Sequence, residues 1–217
     1  MDTIFAQGTA KGKAGVSIIR VSGEKSLSIA KNFTNHIDFE PNRMYLSELR
    51  SNGVKIDSAM VVYFKAPCSF TGEDVVEFHL HGSIAVVRKM SEVLLSLGIR
   101  IAEPGEFSKR AFLNGKMDLT AAEGLADLID AETEIQHRQA IMHMGGEFEV
   151  LCGKWREMLL KSQSLVEAYI DFPDEEIPES VLKTTNDLIN DLKQSLNEKL
   201  DDKRRGERLR SGISMVV

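Results

Sequence analysis

The segment VVEFHLH, residues 75–81, carries ionisable side chains at alternate positions. Alternate residues of a β-strand point to the same face, so Glu77, His79 and His81 would share one face and the intervening apolar residues the other. Carboxylate and imidazole groups are both metal ligands, and a metal site is one interpretation of this row. The other interpretation is the solvated face of a sheet. We favour the solvated face, and predict no metal site, because the histidines at positions 36, 137 and 143 form no cluster with it.

Arg20 is a second candidate for chemistry, because it stands in the β-branched segment VSIIRV, residues 16–21. On a strand it would share a face with Val16 and Ile18, which places a charge in an otherwise apolar strand. Such an arginine either extends its guanidinium to the edge of the sheet or binds a carboxylate or another planar acceptor. The residues alone leave both interpretations open.

Glycines precede this strand at positions 8, 12 and 15, and glycine permits close approach of a ligand to the backbone. The segment TAKGKAG is nevertheless not a nucleotide-binding loop. Such a loop follows a strand and opens a helix with a Gly-Lys-Ser or Gly-Lys-Thr ending. No such ending occurs in the 217 residues.

The elements that would position these residues change character near residue 117. Alternating apolar patterns and turns predict strands at 16–21, 45–49, 54–64, 75–81 and 100–102, with helices at 24–33 and 83–98. Asn52 followed by Gly53 predicts a tight hairpin turn. Helical periodicity then predicts one helix from a capping box at Thr120 and Glu123 towards Met144, a second at 147–170 and a third at 180–200.

These patterns predict an α+β protein. We expect a mixed β-sheet domain over residues 1–117 and an all-α segment over residues 118–210, after which SGISMVV, residues 211–217, has the pattern of a strand that begins there. A short apolar segment of this kind is either an edge strand or the first strand of a further domain.

Composition excludes several classes of protein. Apolar residues at 42% and charged residues at 28% are typical of folded chains, and no apolar run is long enough to cross a membrane. The N-terminus has no signal-peptide pattern, so we expect a cytoplasmic protein. Two cysteines, Cys68 and Cys152, predict neither a disulfide framework nor a zinc site, and we expect both to be reduced and packed.

Charge is distributed unevenly along the chain. Residues 1–118 carry 15 basic and 13 acidic side chains, a net charge of +2, whereas residues 119–217 carry 12 and 20, a net charge of −8. This asymmetry also indicates two units. It gives no sign of the basic face with which proteins bind duplex nucleic acid.

Four segments in order resemble the tRNA-modification GTPase family MnmE, also called TrmE: DTIFAQGTAKGKAGVSIIRVSG, SFTGEDVVEFHLHG, AEPGEFSKRAFLNGKMDLTAAEGLADLIDA and EAYIDFPDEEIP. The resemblance covers essentially the whole chain. It implies an N-terminal folate-binding and dimerisation domain, similar to the tetrahydrofolate domains of aminomethyltransferases. It also implies a helical domain into which a Ras-like GTPase domain is inserted. SGISMVV would then be the start of the first strand of that GTPase domain.

By motif position, the family's folate contacts fall on Arg20, Glu77 and Lys116, with no catalytic residue and no metal ligand among these residues. The resemblance implies a tetrahydrofolate cofactor in its 5-formyl or 5,10-methylene form. GTP, magnesium and potassium would bind only in the missing GTPase domain. The partners implied are a second copy of the chain, an FAD-dependent protein of the MnmG or GidA type, and tRNA, with no membrane.

The family resemblance implies that the full-length protein hydrolyses GTP and modifies carbon five of the wobble uridine of tRNA with a carboxymethylaminomethyl-type group. These residues alone would lack GTPase activity. Two alternatives remain: a non-catalytic dimerisation and partner-docking module whose acidic helices recruit a protein, and an independent folate-dependent aminomethyltransferase. The first has no reason to keep Arg20 near Glu77, and the second needs a general acid or base that the sequence does not identify.

Overall fold

The computed structural model describes residues 2–34, 36, 38–171 and 180–201. The chain divides into two compact units, residues 1–117 and 118–217. Among the described residues, the first unit contains the strands and the second contains helices only. The predicted α+β class is therefore confirmed. The predicted strand over residues 211–217 lies outside the described residues.

In the described part of the first unit, six strands form one mixed sheet in the order β3-β4-β5-β2-β1-β6. The strands are β1 Ile4–Gln7, β2 Val16–Ser22, β3 Met44–Ser51, β4 Val54–Phe64, β5 Val75–His81 and β6 Arg100–Ile101. β1 and β6 pair in parallel, and the other neighbours are antiparallel. Asn52 and Gly53 both have positive φ angles between β3 and β4, which confirms the hairpin predicted from these two residues.

Among the described residues of the first unit, three helices accompany this sheet: α1 Ser26–Phe33, α2 Ile84–Ser96 and α3 Glu106–Leu113. Helices α1 and α2 bury apolar residues against one face, where Phe33 and Met90 join Ile19, Val61 and Phe78 in a single core. The alternation of β5 is as predicted, with Val76, Phe78 and Leu80 almost completely buried. The opposite face of the sheet carries the ionisable side chains.

The second unit contains α4 Leu119–Ile129, α5 Glu134–Met144, α6 Glu147–Asp171 and α7 Ser180–Leu200 within its described residues. Helices α4 and α5 replace the single helix predicted from residue 120 towards 144, and that prediction is wrong. The chain leaves the helix after Ile129 because Thr133 starts a new one, with a reciprocal capping box to Gln136. Helix α4 is capped by Asp118, whose carboxylate accepts from the backbone of residues 120 and 121, and not by the predicted Thr120 and Glu123.

Helices α6 and α7 match their predicted bounds within one residue. The Trp155 indole on α6 donates a hydrogen bond of 3.0 Å to Ser195 Oγ on α7, which connects the two helices. Within the part of the chain that the structure describes, no helix combines the length and apolarity needed to cross a membrane.

Candidate functional site

Arg20 and Glu77 form an ion pair across the strands β2 and β5. They occupy opposed positions in the antiparallel register. Arg20 donates to Glu77 Oε1 from Nε at 2.7 Å, and its Nη2 lies 2.6 Å from the same oxygen. The arginine side chain is 32% exposed and the glutamate side chain 12%, so the pair is partly shielded from solvent. The pleat places both residues on the face opposite the core.

The surroundings of Arg20 differ from the sequence expectation in one respect. Val16, on the face of Arg20, is exposed and Ile18 is half-buried, whereas Ile19 and Val21, on either side of Arg20, pack in the core. Arg20 is therefore not a charge among core side chains. It lies on the open face, and its carboxylate acceptor is a residue of the same sheet. Arg20 is thus bound to a carboxylate of the chain itself, and ligand binding by this arginine stays a prediction.

Two aromatic rings complete the surroundings of the guanidinium. Arg20 Cζ lies 5.5 Å from the ring centroid of Phe70 and 5.8 Å from that of Phe107. Both distances are within the range of cation–π attraction, about 6 Å. Phe70 comes from the loop before β5 and Phe107 from the first turn of α3. An arginine–carboxylate pair with flanking rings offers charge, hydrogen bonds and flat apolar surface to a planar heteroaromatic ligand.

The row Glu77, His79 and His81 does not converge on one point. His79 Nε2 lies 3.1 Å from Glu77 Oε2. His81 instead bonds Asp57 on β4, through its backbone N–H at 2.8 Å and its Nδ1 at 2.7 Å. No group of three or more His, Cys, Asp or Glu side chains within the described ranges is placed to hold a metal ion. The two histidines thus have separate carboxylate partners.

Lys116 lies against the loop before β5. It follows α3 and is exposed. A Cβ added at Gly72, whose φ is +75°, would lie 3.1 Å from Lys116 Cγ and 3.3 Å from its Cδ, so the stem of the lysine runs along that glycine. Gly72 is two residues from Phe70. The structure therefore brings Arg20 and Glu77 into contact and places Lys116 against the loop that supplies one of the flanking rings.

The loop before β5 is held by polar contacts of the Asp74 carboxylate. The Tyr63 hydroxyl donates to Asp74 Oδ1 at 2.9 Å, and the backbone N–H of Ala66 donates to the same oxygen at 2.9 Å. Burial, with the neighbouring Asp74 carboxylate, raises the pKa of Tyr63 to about 12. The phenol therefore remains a hydrogen-bond donor even in mildly alkaline solution.

Cys68, in the same loop, is a free thiol and exposed, so the expectation that it is packed is wrong. Cys68 follows a turn in which its backbone N–H donates to Lys65 O at 2.8 Å, and this turn keeps the side chain away from the core. Cys152 on α6 is free and half-buried.

Sequence reasoning missed the two rings and a buried arginine, Arg110. The segments SFTGED and EPGEFSKR contain these residues, but no local pattern shows that Phe70 and Phe107 approach the same guanidinium. Arg110 is 3% exposed and bonds carboxylates far from it in sequence. Its burial has no sequence signal beyond its place in an amphipathic helix.

Comparison with known proteins assigns both units. Residues 3–116 match the family described as GTP-binding protein TrmE N-terminus, and residues 119–214 match the family described as MnmE helical domain.

Curated relatives agree with this assignment along the whole chain. The chain is 56% identical over 220 residues to a protein of Rickettsia bellii strain OSU 85-389, covering 100% of the chain and 49% of that relative. It is 53% identical over 218 residues to a protein of Orientia tsutsugamushi strain Boryong, covering 99% of the chain and 49% of the relative. Both relatives are named tRNA modification GTPase MnmE. The chain spans about half the length of these relatives, and it belongs to the TrmE/MnmE family, carrying the family's N-terminal domain followed by its helical-domain sequence.

Proposed function

We propose that the first unit binds a tetrahydrofolate derivative, in its 5-formyl or 5,10-methylene form, through Arg20, Glu77 and Lys116. The observation that carries this proposal is the Arg20–Glu77 pair, which lies on the open face of the sheet beside two phenyl rings. A pterin ring is flat and has an edge of donors and acceptors, which suits a carboxylate, a guanidinium and aromatic neighbours. The carboxylates of the glutamyl tail suit an exposed ammonium group such as Lys116.

The ion pair leaves hydrogen-bonding capacity for such a ligand. Glu77 Oε1 accepts hydrogen bonds from Arg20, and Glu77 Oε2 lies within hydrogen-bonding distance of His79 Nε2. A guanidinium has five N–H donors in a fixed fork, and the pair with Glu77 employs those on Nε and Nη2. We expect the remaining donors of Arg20 to bind the ligand and Glu77 to hold the guanidinium in a fixed orientation.

For the longer protein we propose the activity that the relatives' name describes, GTP-dependent tRNA modification. In this proposal the protein is a cytoplasmic homodimer joined through the first unit, and it modifies carbon five of the wobble uridine with an FAD-dependent partner. Magnesium and potassium would act with GTP outside these residues. Residues 1–217 contain no Gly-Lys-Ser or Gly-Lys-Thr ending, so we expect no GTP hydrolysis from them alone.

Calorimetric titration of the chain with 5-formyltetrahydrofolate tests the ligand. We expect saturable binding that Arg20→Ala and Glu77→Ala each weaken by about tenfold or more, because each removes one partner of a charge-assisted contact. Lys116→Ala should weaken binding less, since an exposed ammonium contributes less than a shielded pair.

A matched control is the exposed pair of Arg88 and Glu92 on α2, whose side chains are 81% and 53% exposed at an Nε–Oε1 distance of 3.2 Å. Arg88→Ala and Glu92→Ala remove the same charges from another surface and should leave the affinity unchanged. Circular dichroism and sedimentation would verify folding and dimer formation of each variant. A folded, dimeric wild-type chain that does not bind the folate would refute the site and favour a docking module without a cofactor.

A further inference from the structure

Arg110 on α3 is a buried guanidinium that joins distant parts of the first unit. Its Nη1 donates to Asp2 O at 2.7 Å and to the two Glu73 carboxylate oxygens at 3.2 and 3.1 Å. Its Nη2 donates to Asp2 Oδ1 at 2.8 Å and to Glu106 Oε1 at 3.0 Å. The N-terminal segment, the loop before β5 and the first turn of α3 are therefore tied to one side chain.

From Glu73 the same network returns to strand β2. Ser22 Oγ donates to Glu73 Oε2 at 2.7 Å and lies 2.7 Å from Thr71 Oγ1. Ser22 and Thr71 are both completely buried. Ser22 is two residues from Arg20 and on the same face of the strand. Asn114, after α3, donates from Nδ2 to Thr71 O at 2.7 Å.

The residues fixed by this network carry the groups around the ion pair. Phe70 precedes Thr71 in the loop, and Phe107 is one turn before Arg110 on α3. These two rings lie 5.5 and 5.8 Å from the Arg20 guanidinium carbon. The stem of Lys116 runs along Gly72 of the same loop.

We propose that Arg110 is a positioning residue for this site: it fixes the loop and α3 so that both rings stay beside Arg20 and Lys116 stays beside the loop. This inference rests on the folate-binding function proposed above. Arg110 acts through Glu73 and the backbone of α3 and does not itself touch the ligand.

The geometry requires arginine and not only a positive charge. A planar guanidinium reaches Glu73 and Asp2 in different directions at the same time, whereas a lysine ammonium is a compact point charge with three donors. Arg110→Lys keeps the charge balance of the cluster, which limits the penalty of leaving Glu73 without a cation; Asp2 and Glu106 also pair with Arg100. The substitution nevertheless removes the planar guanidinium that bonds Asp2 and Glu73 at the same time.

Two measurements on the 217-residue chain test the proposal. The first is the affinity for 5-formyltetrahydrofolate, which Arg110→Lys should weaken by about tenfold, equivalent to the loss of one charged hydrogen bond. The second needs no ligand. It is the NMR resonance of the Arg20 Nε–H, assigned from its disappearance in Arg20→Lys, which should shift in Arg110→Lys because the rings beside it move.

Two further variants make the test specific. Glu73→Gln keeps the size of the side chain and tests the same link from the loop, and it takes the place of Arg110→Lys should that variant not fold. Arg88→Lys is the matched control, because Arg88 is 81% exposed and pairs with Glu92 on its own helix. It should change neither measurement.

The outcomes separate the two proposals. A folded Arg110→Lys with wild-type affinity and an unmoved Arg20 resonance would overturn the positioning role, whatever its effect on thermal stability. If the wild-type chain binds no folate, the proposed ligand is wrong, and a shifted Arg20 resonance in Arg110→Lys would still support the positioning role. An unmoved resonance in that case would overturn both.

Discussion

Replacing Gly82 by alanine should destabilise the first unit, because the position after β5 has no room for a side chain. A Cβ at Gly82 would lie 2.5 Å from the carbonyl carbon of Ala14 and 2.9 Å from its Cα, with the carbonyl oxygen closer still. These are backbone atoms, which cannot rotate away as the end of a side chain can. The segment before β2 must therefore move, and with it the hydrogen bonds Ala14 N–H to Gly82 O at 3.0 Å and Gly82 N–H to Gly15 O at 3.4 Å.

The size of this effect follows from these two hydrogen bonds and from the overlap of the added methyl group with the backbone. Each hydrogen bond contributes about 0.5–1.5 kcal/mol net, and forcing a methyl group into a packed site costs about 1–3 kcal/mol. We therefore expect Gly82→Ala to lower the free energy of unfolding of the first unit by about 2–4 kcal/mol. Hydrogen exchange followed by mass spectrometry measures this change in peptides from β2 and β5, where exchange by unfolding should accelerate by about thirtyfold or more.

Gly15→Ala is the matched control for this prediction. Gly15 belongs to the same pair of segments, but a Cβ there would meet nothing within 4 Å. Its replacement should change the free energy of unfolding by no more than about 0.5 kcal/mol. Equal exchange rates in the two variants would show that the backbone at Ala14 does not approach Gly82 as the structure has it.

Three further changes test other parts of the molecule. Phe78→Ala, at a core position with 0% exposure, should cost about 3–5 kcal/mol in urea denaturation, whereas Leu46→Ala, at 71% exposure, should cost no more than about 0.5 kcal/mol; equal losses would contradict the core assignment. Asp118→Ala should cost about 1 kcal/mol and accelerate hydrogen exchange in the first turn of α4, because the cap that accepts from two backbone N–H groups is lost; unchanged exchange there would contradict the cap. The hydrogen bond from Arg100 lowers the pKa of Glu106 from 4.5 to about 2. The stabilisation that ionised Glu106 gives the folded state is therefore complete above pH 4.5 and is lost as the pH falls towards 2. Glu106→Gln should flatten the acid denaturation curve of the first unit in this window, and an unchanged curve would contradict the pairing.

The strands β2 to β6 were predictable because their signal is local. VVEFHLH alternates without interruption, and β5 spans the predicted residues 75–81. Asn52 and Gly53 fix the hairpin by their own conformational preference. In the same way α6 and α7 follow from apolar residues at helical spacing over 25 and 21 residues.

The elements that the patterns did not predict are short or depend on a cap. β1 has 4 residues and α3 has 8, too few for a period to stand out. The division between α4 and α5 had a usable signal, since Thr133 and Gln136 have the spacing of a capping box. The apolar pattern on both sides of Thr133 favoured a single helix, but the capping box at Thr133 starts a separate helix.

The sequence could propose the residues of the candidate site but not their arrangement. The family resemblance selects Arg20, Glu77 and Lys116. The contact between Arg20 and Glu77 depends on the register of β2 against β5, which residues far apart in sequence determine together. The approach of Phe107 to Arg20 depends on where α3 packs, and that position depends on Arg110 and its carboxylates. No local sequence pattern predicts either of these two contacts of Arg20.

The pleat of β5 links the candidate site to the core. Phe78 is buried against the helices, while its neighbours Glu77 and His79 face the open side. On β2, Ile19 and Val21 pack in the same core on either side of Arg20. A shift of one residue in the pairing would move the charged side chains into the core and the apolar ones out, at a cost that the fold cannot sustain. The hydrophobic pattern of the two strands, and not a loop, therefore holds the guanidinium opposite its carboxylate, and substitutions in the core should change ligand affinity together with stability.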